Sequence, residues 1–212
     1  MQVTQQLLAS RLVAIIRGLT LKEAQLASEG LMAGGMKHIE FTMNTDGALH
    51  MIEQARTQAR EGIYIGAGTV MNLRLAKEAV RAGAQFLISP NVDQTVIHYA
   101  LEQGIPMWPG AMTPTEIVNA HEAGADAVKV FPMGSLGLSY LKEIKAPLQH
   151  IHMIATGGVT LDNVQAYMEA GASAVGIGSA LLPKEALKTG DWTRIAAVTA
   201  QFVEAAVQHE NK

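Results

Sequence analysis

Ala123-Gly124-Ala125-Asp126-Ala127-Val128-Lys129-Val130-Phe131-Pro132 is the stretch from which the fold can be read. An Ala-Gly pair suited to ending a helix is followed within a few residues by a short apolar run, the pattern of a strand buried on both faces of a parallel sheet. The same join recurs at Ala33-Gly34, Ala82-Gly83 and Ala170-Gly171, each ahead of another apolar run. One supersecondary unit is therefore echoed along the chain. Working outward from Lys129, strands are predicted over 12–16, 38–43, 64–70, 86–90, 106–110, 127–132, 152–156 and 174–178.

Helices are expected between these strands. A short leading helix covers 2–10, and the last helix runs over 193–209. Their starts carry chemical signals. Thr20 and Asn72 are suited to N-caps, and Thr113-Pro114-Thr115-Glu116 combines a cap, a proline at the first helical position and a glutamate at the third. Helices are also expected over 47–60, 140–148 and 162–170, the second after a glycine-containing loop. Eight strands alternating with helices over 212 residues predict an α/β fold. The expected form is one domain over 1–212, a (β/α)8 TIM barrel preceded by the short N-terminal leading helix. A doubly wound open sheet is the rival, and the glycines argue against its dinucleotide-binding form. Gly66-Ala67-Gly68 lacks the third glycine of that fingerprint, and Gly176-Ile177-Gly178 has Leu181 at its place.

Composition narrows the function classes. Hydrophobic residues make up 49% and charged residues 17%, which predicts a large core. A net charge of -3 without any Lys/Arg-rich block argues against nucleic acid or an anionic membrane as partner. No cysteine is present, which excludes disulfides, a thiolate nucleophile and a Cys-type zinc site. There is no secretory leader pattern and no run of 18 apolar residues, so a cytoplasmic location is expected.

A cation inside an apolar strand needs a reason. Burial disfavours the ammonium form of Lys129 and so promotes the free amine that attacks carbonyls. The alternative is a lysine that snorkels out of the strand end or pairs with a carboxylate. Glu40, in His38-Ile39-Glu40-Phe41-Thr42-Met43, shares one strand face with His38 and Thr42. If that face is inward, Glu40 meets Lys129, either as a static ion pair or as an acid/base beside a nucleophile.

Barrel active sites lie at the C-terminal strand ends. Thr156-Gly157-Gly158 and Gly178-Ser179 end the last two strands, where backbone N–H groups commonly hold phosphate, although glycines there also make plain tight turns. Arg17 ends the first strand and Thr69 the third; one suits a carboxylate and the other offers a hydroxyl, against the alternatives of a solvated cation and a capping threonine. His150 and His152 enter the seventh strand at its far end, so no metal site is read there. The scattered His50, His98, His121 and His209 read as surface residues. Met43, Met107, Met112 and Met133 read as adaptable packing.

Eight short motifs now fall in one order. They are Val13-Ala14-Ile15-Ile16-Arg17-Gly18, Glu40-Phe41-Thr42, Ile65-Gly66-Ala67-Gly68-Thr69-Val70, Ile88-Ser89-Pro90-Asn91, Pro109-Gly110, Val128-Lys129-Val130-Phe131-Pro132, Thr156-Gly157-Gly158-Val159 and Gly178-Ser179. Together they resemble the KDPG/KHG aldolase family, the aldolases of 2-keto-3-deoxy-6-phosphogluconate and 4-hydroxy-2-oxoglutarate. The resemblance implies a class I lyase without cofactor or metal, acting on a small 2-keto acid and releasing pyruvate. It makes Lys129 the Schiff-base lysine and Glu40 the acid/base. Thr69, Thr156 and Pro90 become substrate-binding positions, and Gly157, Gly158, Gly178 and Ser179 the phosphate cradle. It also implies a homotrimer.

One departure concerns substrate choice. Phosphogluconate-type members commonly carry an arginine after strand two, where this chain has Thr42-Met43-Asn44-Thr45, whereas Arg17 resembles the strand-one arginine of the galactonate-type branch. Two other classes stay open on the residues alone. One is a phosphate-binding barrel isomerase or synthase in which Lys129 is an electrostatic clamp. The other is a non-catalytic sugar-acid phosphate sensor.

Overall fold

The computed structural model describes residues 2–207, so the expected end of the last helix at His209 lies outside the described residues. The chain runs α1 (Gln2–Ser10), β1 (Leu12–Ile16), α2 (Leu21–Ala33), β2 (His38–Thr42), α3 (Ala48–Gln58), β3 (Tyr64–Gly68), α4 (Leu73–Arg81), β4 (Leu87–Ile88) and α5 (Gln94–Glu102). It continues with β5 (Met107–Trp108), β6 (Gly110–Ala111), α6 (Pro114–Glu122), β7 (Val128–Val130), α7 (Met133–Lys145), β8 (Met153–Thr156), α8 (Val164–Glu169) and β9 (Ala174–Ile177). A 3-10 turn (Ser179–Leu181), α9 (Lys184–Thr189) and α10 (Trp192–Val207) complete it.

All strand pairs are parallel, in the order β5-β4-β3-β2-β1-β9-β8-β7-β6. β5 and β6 are one strand position divided at Pro109, which has no N–H to give the ladder. Its carbonyl still accepts from the Lys129 N–H at 2.9 Å. β4 flanks the first half and β7 the second, so the sheet closes on itself as a barrel of eight positions. The predicted (β/α)8 barrel is thus the architecture, with the fifth strand split.

The caps form as their sequences dictate. Thr20 with Glu23 and Thr113 with Glu116 make reciprocal capping boxes, and Asn72 Oδ1 accepts from the Leu75 N–H at 3.0 Å. Gly83, Gly124 and Gly171 take left-handed conformations after their helices. The first Ala-Gly pair differs, because Gly34 stays right-handed at φ -78 and Gly35 makes the turn at φ 93. Gly34 serves packing instead: a Cβ there would lie 2.5 Å from the Thr199 Cβ on α10. Two further departures concern the last third. α7 starts at Met133 rather than near 140, with Gly137 breaking it at φ 81 and ψ 170, and the 3-10 turn and α9 fill a segment for which no element was expected.

Two apolar layers hold the barrel. Outward residues such as Ala14, Ile39, Phe41, Val128 and Val130 pack against the helices, while Val13, Phe86, Trp108, Ala127 and Ala174 pack with Leu7 of α1. Leu7 is fully buried, a burial that stabilises by about 1.5–3 kcal/mol. Polar contacts fasten the same helix. His38 on β2 reaches the Val3 carbonyl at 3.1 Å and Ser10 Oγ at 3.3 Å, and Thr4 Oγ1 donates to Asp126 at 3.0 Å while accepting from Trp108 Nε1 at 3.3 Å. α1 therefore plugs the floor of the barrel and leaves the C-terminal strand ends for chemistry.

Candidate active site

β2 turns its polar face inward. His38, Glu40 and Thr42 are each 0% exposed, and Lys129 on β7 is 4% exposed. β2 and β7 are four steps apart in either direction round the eight positions, so Glu40 and Lys129 project from opposite walls. They meet at a small cavity of about 10 Å³, room for about one water, which Thr156, Val13, Ile15, Ile88 and Ile154 also line.

Neither Glu40 oxygen has a hydrogen-bond partner in this interior. Burial pushes the Glu40 carboxyl above its usual range, opposed by the charges of Lys129 and Arg17. Burial likewise pulls the Lys129 amine down, with Glu40 working against it and Arg17 with it. Desolvation is the first cause for both groups, so it favours a neutral amine facing a protonated carboxyl. That pair carries the same single proton as the ammonium–carboxylate pair. The face of Phe131, two residues beyond Lys129, lies 5.2 Å from the Lys129 Nζ.

Small residues make this arrangement possible. Cβ atoms at Gly68 and Gly176 would lie 2.7 Å from the Glu40 carboxyl carbon and 2.6 Å from Thr156 Oγ1, respectively. Phe131 was within reach of sequence reasoning through its period-2 spacing from Lys129. Gly68 and Gly176 carried no such signal, since their neighbours come from other strands.

The remaining expected residues gather at the mouth. Arg17 and Thr69 follow β1 and β3, and Arg17 Nη2 donates to Thr69 Oγ1 at 3.5 Å. Thr69 has φ 56, a conformation that costs a β-branched residue about 1–3 kcal/mol and tends to occur at functional sites. Pro90 is half-buried beyond β4. Thr156 pairs in register with Gly176 across β8 and β9, so Gly157-Gly158 and Gly178-Ser179 emerge side by side. Gly157 and Gly158 have φ 103 and 71, and Asn163 Nδ2 donates to the Gly158 carbonyl at 2.9 Å.

Other expectations sort as follows. His150 and His152 precede β8 at the end away from this site, and His50, His98 and His121 are exposed. Met107 and Met133 pack in the core, Met43 packs against it, and Met112 is 46% exposed. Among the described residues, no group of three His, Asp or Glu is arranged to hold a metal. No described helix is long and apolar enough to cross a membrane.

Comparison with known proteins bears on this geometry. Residues 3–198 match the family model "Aldolase: KDPG and KHG aldolase". The chain is 35% identical over 195 residues to a probable 2-dehydro-3-deoxy-6-phosphogalactonate aldolase of Rhizobium meliloti (strain 1021), covering 92% of each chain. It is 34% identical over 203 residues to the 2-dehydro-3-deoxy-phosphogluconate aldolase of Dickeya dadantii (strain 3937), covering 95% of each. The crystal structure of KDPG aldolase from Legionella pneumophila, with pyruvate captured at low pH as a covalent carbinolamine intermediate, superposes with a TM-score of 0.84. Identity there is 29%, over 94% of this chain and 97% of that one. A family match along nearly the whole chain and relatives above 30% identity over more than nine-tenths of it make this protein a member of the KDPG and KHG aldolase family, a lyase on a (β/α)8 barrel.

Proposed function

We propose that the protein is a class I aldolase that cleaves a 2-keto-3-deoxy-6-phospho sugar acid to pyruvate and glyceraldehyde 3-phosphate through a Schiff base on Lys129. The observation that carries this reading is the facing pair of Lys129 and Glu40, buried from opposite walls with no hydrogen bond to either carboxyl oxygen. A lysine serving only as an ion-pair partner would gain nothing from such an environment, whereas a nucleophilic amine needs it.

The neutral amine attacks the C2 carbonyl carbon to give a carbinolamine; the protonated Glu40 carboxyl then donates to the departing hydroxyl, so loss of water gives the iminium and leaves Glu40 as a carboxylate. Glu40, acting directly or through a water, takes the C4 hydroxyl proton as the C3–C4 bond breaks, and the bonding pair passes into the enamine. The aldehyde leaves. Glu40 then returns a proton to C3, and hydrolysis frees pyruvate and the Lys129 amine. Arg17, with Thr69 and Thr156, holds the carboxylate, and Pro90 lines the substrate pocket. The strained backbone at Thr69 supports a functional role for its hydroxyl. The turns of Gly157, Gly158, Gly178 and Ser179 take the phosphate.

Arg17 beyond β1, with the exposed Asn44 after β2, favours the galactonate-type substrate over the gluconate type. The near-equal identities to both kinds of relative leave that choice to experiment. By family resemblance the assembly is a homotrimer, which sedimentation equilibrium tests through its mass.

The decisive assay is a panel of 2-keto-3-deoxy acids of both epimers, phosphorylated and not, scored by pyruvate release. In parallel, pyruvate with borohydride should leave a reduced adduct on Lys129 that Lys129→Ala abolishes. An adduct on Lys142 or Lys145 instead would refute the assignment. Lys145 is a poor competitor, because its Nζ donates to the carbonyls of Gln149 and Ile151.

A further inference from the structure

We propose that Gly68 is a positioning residue, whose bare Cα forms the recess that holds the Glu40 carboxyl apart from Lys129. This rests on the roles proposed above for Glu40 and Lys129.

The β2–β3 register sets Glu40 opposite Gly66 and Thr42 opposite Gly68. Gly66 and Gly68 share the inward face of β3, and their bare surfaces are used differently. The Phe86 ring fills the space at Gly66, where a Cβ would lie 2.4 Å from it. At Gly68 a Cβ would meet three atoms of one group, the Glu40 Cδ and Oε1 at 2.7 Å and Oε2 at 2.9 Å. The carboxyl therefore leans along β3 and lies directly over Gly68. No hydrogen bond fixes it there, since neither oxygen has a partner.

A methyl group at position 68 would fill this recess. β3 cannot yield, because β2 and β4 hold it on both sides and Phe86 packs over Gly66. Restoring an ordinary contact needs the carboxyl to retreat from β3 by at least about 0.7 Å. The retreat leads into the interior that Lys129 enters from the opposite wall. The charged groups acting on Glu40 are Lys129 and, at the mouth, Arg17. A displaced carboxylate finds the Lys129 ammonium and pairs with it, which withdraws both the nucleophile and the proton carrier.

The test uses the full chain with pyruvate as the probe. Wild type, Gly68→Ala and Gly68→Ala/Glu40→Asp are compared for melting temperature, exchange of pyruvate methyl protons in D₂O, and the pH dependence of the borohydride-trapped adduct on Lys129. In Gly68→Ala, methyl exchange should fall about 10²-fold, the loss typical of a misplacement near 1 Å. The midpoint of adduct formation should move to higher pH by about 1–3 pH units as the amine gains a carboxylate partner. Shortening the acid by one methylene in the double variant clears the added methyl and draws the carboxyl back toward β2, so its midpoint should fall to the wild-type value or below and its melting temperature should exceed that of Gly68→Ala.

A folded Gly68→Ala protein with wild-type exchange and midpoint overturns the positioning role and leaves the aldolase reading intact. A wild-type chain that traps no pyruvate on Lys129 overturns the aldolase reading and this proposal with it. If Gly68→Ala does not fold, the double variant decides: folding with a midpoint no higher than wild type supports the recess, and folding with a raised midpoint overturns it. Failure to fold overturns it, because the added methyl would then be meeting something other than the carboxyl.

Discussion

Glu40→Gln separates a proton carrier from a structural ion-pair partner. The substitution keeps the shape of the side chain and removes its titration. If Glu40 moves protons, turnover should fall by about 10²–10⁴-fold, or about 3–5 kcal/mol in the barrier. Adduct formation on Lys129 should survive and extend to lower pH, because the amine loses the carboxyl that favoured its ammonium form. Stability moves the other way from a broken ion pair. The folded-state pKa of Glu40 is raised by burial, so the stability it contributes is present below the ordinary value near 4.5 and is lost as pH rises above it. Glutamine has no such loss, so the melting temperature of Glu40→Gln should gain on that of wild type as pH rises from about 4 to 8. Breaking a buried ion pair would instead destabilise by about 3–5 kcal/mol. Melting curves, borohydride trapping and methyl exchange on one preparation decide it. Normal methyl exchange in a folded Glu40→Gln protein rules Glu40 out as the proton carrier.

The proposed phosphate cradle and the barrel floor give two more tests. In Gly158→Ala, a Cβ 2.8 Å from the Gly134 Cα displaces the turn, so KM should rise more for a phosphorylated substrate than for its dephosphorylated analogue. Equal increases for both would refute a phosphate role. His38 is held neutral by burial, with its pKa lowered to about 4 from 6.5 against the opposing pull of the Val3 carbonyl. The unfolded chain takes up a proton that the folded chain refuses, so stability is lost as pH falls from about 6.5 through 4. The full loss is about 3 kcal/mol at 1.36 kcal/mol per unit, read by urea unfolding at pH 7 and 4 against His38→Gln, which should lack this part of the dependence. Equal pH dependence in the two proteins would show that His38 does not resist protonation.

Much of the fold is legible because its signals are local. Thr20 with Glu23 and Thr113 with Glu116 cap helices through groups three residues apart, and the repeated Ala-Gly joins mark where helices give way to strands. Lys129 is conspicuous for a related reason, as a cation in an apolar run disagrees with its immediate neighbours. Period 2 placed His38, Glu40 and Thr42 on one face of a strand, but it cannot say which side of a sheet is the interior. Closure of the barrel decided that and set Glu40 opposite Lys129. The same holds for Gly34, which yields the helix-ending turn to Gly35 because α10 approaches from more than 150 residues away, and for α7, whose break at Gly137 follows no periodic pattern. Gly68 is the extreme case. Its side-chain hydrogen is all that its own sequence context records, and its importance comes entirely from a carboxyl that β2 lays across it. Local chemistry reads out of sequence because its partners are a few residues apart, whereas empty space is defined by groups that only the closed barrel brings together.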